Sequence, residues 1–141
     1  MNLFFDSSAL LKRYLNEVGE NRVTELFDNA DKIFVSIITH LECASCFQRL
    51  LHTKYIDKKE YQRLCSEINL DFTFFETIAF DEEIKTISLK MIDTYPTKAL
   101  DTIQLASLFY VVNEIDSFVV CDQKLKKYAL KEGFHIIDPT E

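Results

Sequence analysis

The chain has 141 residues, with 48% apolar and 28% charged residues, the make-up of a folded globular protein rather than a disordered one. Its formal net charge of −7 argues against a basic domain that coats nucleic acid. With only two glycines, Gly19 and Gly133, neither G-x-G-x-x-G nor G-x-x-x-x-G-K-[ST] can be written, so glycine-lined phosphate loops are excluded, as is a chain of many tight hairpins.

In chain order, Leu3-Phe4-Phe5 is a continuous apolar run that predicts a strand buried on both faces. Ser7 and Ser8 open a helical stretch to about Leu15, and a second follows from Glu20 to Phe27. Ile33-Phe34-Val35 predicts the next strand. Ile37, Leu41, Ala44, Phe47 and Leu51 recur at three- and four-residue steps and predict a helix. Another helix is expected from Lys58 to Leu70, and the Phe- and Thr-rich stretch from Phe72 to Ile78 reads as a strand. Glu83 to Asp93 reads as a helix stopped by Pro96. Ala99, Ile103, Ala106 and Tyr110 then mark another helical stripe. Phe118 to Cys121 predicts a buried strand, Gln123 to Lys131 a short helix ended by Gly133, and Phe134 to Ile137 a last strand. Strands alternating with helices imply a three-layer α/β domain with a mostly parallel sheet, one domain over residues 1–141.

No run approaches the ~20 apolar residues of a membrane span. Lys12 and Arg13 follow the first apolar stretch rather than precede it, the wrong order for a secretory signal. Cys43, Cys46, Cys65 and Cys121 sit in apolar or helical contexts and are expected to be reduced, which places the protein in the cytoplasm. His40, His52 and His135, even with Cys43 and Cys46, complete no zinc motif.

Four acids stand out. Asp6 and Asp122 each follow a predicted buried strand and precede a helix, the position where open α/β sheets bind ligands. Glu42 and Asp101 lie inside apolar helical patterns, where a carboxylate is uncommon unless paired, hydrogen-bonded or metal-bound. The plain alternative is capping: Asp6 and Asp122 as N-caps, and Thr39-x-x-Glu42 and Asp101-x-x-Gln104 as capping boxes. Should the four converge, two carboxylates ~4.5 Å apart repel by roughly 3–4 kcal/mol at an effective dielectric near 20. An all-oxygen cluster of this kind calls for a hard cation, Mg²⁺ or Mn²⁺, and such ions are usual partners of phosphate substrates.

Phe5-Asp6-Ser7-Ser8-Ala9-Leu10-Leu11-Lys12, Thr39-His40-Leu41-Glu42, Leu100-Asp101-Thr102-Ile103-Gln104-Leu105-Ala106 and Val119-Val120-Cys121-Asp122-Gln123-Lys124-Leu125 resemble, in order, the four acidic blocks of the PIN domain, and of small VapC-type toxins in particular. The resemblance covers essentially the whole chain. It implies a five-stranded parallel sheet between helical layers and Mg²⁺- or Mn²⁺-dependent cleavage of RNA. It also implies a cognate antitoxin, which would bind a groove and bring a basic side chain to the acids, and a homodimer. Carried across, Asp6, Asp101 and Asp122 would ligate the metal. Glu42 would hold a metal-bound water or act as general base, and Ser8 would support the ligands by hydrogen bonding. The sequence departs from the family at Val120, where many members have Ser or Thr, and at Lys98, where they often have Arg.

Basic residues near these blocks, above all Lys98, Lys124 and Lys127, are candidates to grip RNA phosphates, against the ordinary alternative of a solvated helix face. A non-catalytic binding module on the same fold is the second reading, disfavoured because all four acids are present. A phospho-acceptor receiver is the third. It lacks the paired acid after its first strand, an Asp after Phe34-Val35-Ser36 and a terminal Lys.

Overall fold

The computed structural model describes residues 1–141. Five strands are present: β1 (Asn2–Phe5), β2 (Lys32–Ser36), β3 (Glu76–Ile78), β4 (Ser117–Val119) and β5 (Ile136–Ile137). Seven helices separate them: α1 (Ser7–Tyr14), α2 (Glu20–Asn29), α3 (Ile37–His52), α4 (Lys58–Phe72), α5 (Glu82–Thr94), α6 (Ala99–Tyr110) and α7 (Gln123–Lys131). The strands form one sheet in the order β3-β2-β1-β4-β5, and all four pairings are parallel. The expected mostly parallel, three-layer arrangement is therefore present in its fully parallel form.

The period-two alternation of the strands creates the layers. Leu3, Phe5, Val35 and Val119 face one core, which they share with Ala9 and Leu10 of α1, Val23 and Leu26 of α2, Phe47 of α3 and Leu64 and Ile68 of α4. Phe4, Phe34, Phe118 and Val120 face the other, against Leu105 and Leu108 of α6 and Leu125 and Tyr128 of α7. Phe4 sits in register with both Phe34 and Phe118, and its ring meets that of Phe118 edge-on at 5.8 Å. An unbroken apolar run is thus what a central strand needs, because each successive side chain enters a different core.

Three strands are shorter than expected: β4 ends at Val119 rather than Cys121, β5 keeps only Ile136–Ile137 of the stretch from Phe134 to Ile137, and β3 loses most. The Phe72–Ile78 stretch yields only Glu76–Ile78 as strand; Phe72 closes α4 and a turn follows. Phe72 and Phe75 enter the core from this turn, joining Phe27 and His40 in a chain of ring contacts 4.2–5.8 Å long per step. Their aromatic character reflects that cluster, not a pleated surface.

Gly133 ends α7 as anticipated, at φ +87°. Its amide donates to Leu130 O and the next amide, of Phe134, to Ala129 O, the paired bonds of a Schellman turn.

Candidate active site at the sheet switch point

The strand order fixes where a crevice opens. β1 leads into β2 and β3 on one side, whereas β4 and β5 lie on the other. After β1 the chain turns into α1, which packs on one face of the sheet. After β4 it turns into α7, which packs on the opposite face. The two turns part at the carboxyl ends of neighbouring strands, which is a topological switch point. Asp6 and Asp122 stand in these two turns.

Asp6 is 2% exposed. It caps α1, its Oδ1 accepting from the Ala9 amide at 3.0 Å. Asp122 caps α7, its Oδ1 accepting from the Leu125 amide at 2.9 Å. Ser8 ties the turns together. Its hydroxyl donates to the Asp6 carboxylate at 2.7–2.8 Å and accepts from the amides of Cys121 and Asp122 at 3.1 and 3.0 Å. The capping explanation is thus right for Asp6 and Asp122.

For the other two acids the capping boxes are absent. Helix α3 starts at Ile37 with Ser36 as its cap, its hydroxyl accepting from Ile38 N, so Glu42 lies a turn and a half inside. Helix α6 starts at Ala99 after Lys98, and Asp101 sits in its first turn without a capping bond. There its charge complements the amino end of the helix.

Burial is the largest cause that pushes the Asp6 pKa up, to about 7. The Ala9 amide and Ser8 hydroxyl oppose it, and the negative charges of Asp122 and Glu42 add to it. Burial likewise raises Asp101, with Asp122 and Glu42 again adding and Lys124 and Lys98 opposing. The same two acids, Asp122 and Glu42, thus act on both Asp6 and Asp101. No three His, Cys, Asp or Glu side chains stand close enough to enclose an ion as placed. Three of the four carboxylates are already held by protein donors, and like charges do not close up on each other unaided.

A feature the sequence reading passed over is the buried polar contact around Gln104. That residue is 2% exposed, and its Nε2 lies 2.7 Å from Thr39 Oγ1, 3.0 Å from Ser7 Oγ and 3.0 Å from Glu42 Oε1. Ser7 also donates to Glu42 Oε1, at 2.7 Å. Three polar residues, Ser7, Thr39 and Gln104, inside apolar stripes were the available signal, since buried polar groups demand partners. Beside Glu42, a cavity of about 320 Å³ is lined by Ile38, Leu41, Ser45, Arg49 and Leu100.

Of the basic candidates, Lys98 and Lys124 both act on Asp101, and Lys124 Nζ donates to Pro96 O at 3.3 Å. Lys127 lines a separate shallow depression with Gln123, Lys126, Leu130 and Lys131. Several other cations are committed within the fold: Lys12 to Glu17, Arg13 to Asp71, Arg63 to Glu60 and Glu67, and Lys126 to Asp138 and Glu141. All four cysteines are free, and no helix is long and apolar enough to cross a membrane.

The fold is the one found in PIN-domain toxins of the VapC and FitB type, in keeping with the four acidic blocks. A toxin–antitoxin complex from Klebsiella pneumoniae is similar with TM-score 0.70 and 16% identity, over 99% of this chain and 98% of that one. FitAcB from Neisseria gonorrhoeae is similar with TM-score 0.73 and 16% identity, over 97% of both chains. Mycobacterium tuberculosis VapC20, described as a toxin that cleaves the sarcin–ricin loop, is similar with TM-score 0.66 and 12% identity, over 94% of this chain and 95% of that one. No family model matches the sequence, and no curated protein matches it closely. At these identities the likeness is one of fold.

Proposed function

We propose that the protein is a Mg²⁺- or Mn²⁺-dependent ribonuclease, the toxin of a toxin–antitoxin pair. The observation that carries the reading is the placement of Asp6 and Asp122 in the two turns that part at the switch point, with Asp122 and Glu42 acting electrostatically on both Asp6 and Asp101. The donor set fits the ion: it is all carboxylate oxygen, which suits hard divalent cations, and it contains a buried acid whose ionised form is disfavoured without a positive partner. Similarity of fold to structures described as toxin–antitoxin complexes supports the biological role.

In this reading Asp6, Asp101 and Asp122 hold the cation. A bound ion would neutralise charge at the scissile phosphate and acidify the attacking water. Glu42 would orient the attacking water and take its proton as the water oxygen bonds to phosphorus and the ester bond breaks, the departing oxygen taking a proton from solvent. Ser8 holds Asp6 and the backbone before Asp122 in fixed relation. Lys98 and Lys124, beside Asp101, bind the flanking phosphates, and Lys127 extends the contact along α7. The cavity beside Glu42, with Leu41 and Leu100 exposed at its wall, would receive a segment of the antitoxin. A homodimer and a cytoplasmic location complete the proposal.

Mn²⁺ titration and cleavage of a broad RNA panel test it, comparing the wild type with Asp6→Asn, Asp101→Asn and Asp122→Asn. The expected result is binding and cleavage by the wild type and loss of both in each variant. A wild type that binds no Mn²⁺ and cuts no RNA refutes it.

A further inference from the structure

Gln104 is the one large polar side chain among the most deeply buried residues. We infer that Gln104 is a positioning residue for Glu42: its amide, together with the Ser7 hydroxyl, clamps the inner carboxylate oxygen of Glu42 and leaves the other oxygen to the site.

Gln104 lies on α6 one turn after Asp101, and it reaches Ser7 of α1 and both Thr39 and Glu42 of α3. One side chain therefore links the three helices whose residues, or immediate neighbours, supply Asp101, Asp6 and Glu42. Both donors converge on a single atom, Glu42 Oε1, from Ser7 at 2.7 Å and from Gln104 at 3.0 Å, whereas no protein donor reaches Oε2. Glu42 also lines the adjoining cavity.

The amide's own oxygen, Oε1 of Gln104, is buried without a partner. Its orientation is therefore set by what its nitrogen gives and not by what its oxygen receives. Turning the amide over would set that oxygen against the Glu42 carboxylate. The chemistry of the residue also fits. A leucine would pack there but hold nothing, a lysine or arginine would neutralise Glu42, and a glutamate would repel it. A neutral amide restrains a carboxylate while leaving its charge available.

The functional consequence rests on the ribonuclease reading; the clamp itself does not. Gln104→Met keeps the volume and removes the donor, and Ser7→Ala removes the other one. In the metal-free crystal structure of Gln104→Met, Glu42 is expected to leave its wild-type rotamer. Mn²⁺ affinity or kcat is expected to fall by about 10- to 100-fold, as for other groups that orient metal-site carboxylates, with KM within about twofold. In Gln104→Met combined with Glu42→Gln, the loss should equal that of Glu42→Gln alone, since a positioning residue has nothing left to position. A merely structural role would make the two losses multiply. If Gln104→Met fails to fold, Ser7→Ala is read by the same measurements. Retention of the Glu42 rotamer, or multiplying losses, overturns the inference. If the wild type neither binds Mn²⁺ nor cuts RNA, the ribonuclease reading falls alone, and the Glu42 rotamer still decides the clamp.

Discussion

At Asp6 a single carboxylate caps a helix and stands among other acids, and the two roles respond oppositely to substitution. Its folded-state pKa of about 7 lies above the ordinary 3.8, so the folded protein holds this proton more tightly than the unfolded chain does. The associated stability is fully present below pH 3.8 and is lost as pH rises through about 7. In chelator, urea midpoints should therefore fall between pH 4 and pH 8, by an amount worth up to roughly 4 kcal/mol. Asp6→Asn keeps a good cap and should flatten that slope, while Asp6→Ala should flatten it and also lose ~1 kcal/mol of capping. Mn²⁺ should restore the wild type at high pH by binding only the folded state. Asp138 works the other way. Although burial raises it, the Thr140 hydroxyl and amide, Lys126 and Gln123 hold its pKa below the ordinary value. Its contribution is present above that value and is lost as pH falls below it, outside the window that reports Asp6.

At the level of the elements, the central strands and the two glycines make distinct demands. Phe4 is fully buried between β2 and β4 and packs on Phe118, so Phe4→Ala should cost about 3–5 kcal/mol in denaturant unfolding. Gly19 and Gly133 both have positive φ, at +102° and +87°. A Cβ at Gly133 meets nothing within 4 Å, whereas one at Gly19 would stand 3.1 Å from the Pro139 carbonyl oxygen. Gly133→Ala should therefore cost only the roughly 1–2 kcal/mol of the left-handed conformation. Gly19→Ala should cost more, and hydrogen exchange should show the segment after β5 loosened in that variant alone.

For the whole molecule, four of the acids behind the charge of −7 belong to the proposed site; without them the rest of the chain carries −3. Lys98 and Lys124 stand beside these acids, so the proposed RNA contact is a local positive rim on an acidic protein. Lys98→Ala and Lys124→Ala should each weaken RNA binding and reduce the slope of log K against log salt by about 0.7, the value for one contact to a single strand. Fluorescence anisotropy in a non-cleaving Asp101→Asn background, across a salt series, measures this. An unchanged slope in both would place the phosphates elsewhere.

The amino-acid sequence by itself determined the alternation of strands and helices, because Leu3-Phe4-Phe5, Ile33-Phe34-Val35 and Phe118-Val119-Val120-Cys121 are unbroken apolar runs and the helices carry three- and four-residue stripes. It also marked Asp6 and Asp122 as strand-end acids, since a carboxylate directly after a buried run has few places to be. It misplaced the start of β3, because Phe72 and Phe75 pack as an aromatic cluster and local composition does not distinguish that from a strand. Only the tertiary structure decided the rest. The strand order sends α1 and α7 to opposite faces and so opens the crevice, and parallel pairing of β1 with β4 sets the two turns side by side. The capping boxes around Glu42 and Asp101 were plausible locally. They gave way because Ser36 caps α3 and because Gln104 finds its partners 62 to 97 residues away in the chain. A buried amide takes whichever oxygens the packing brings to it, and no spacing along the sequence encodes that.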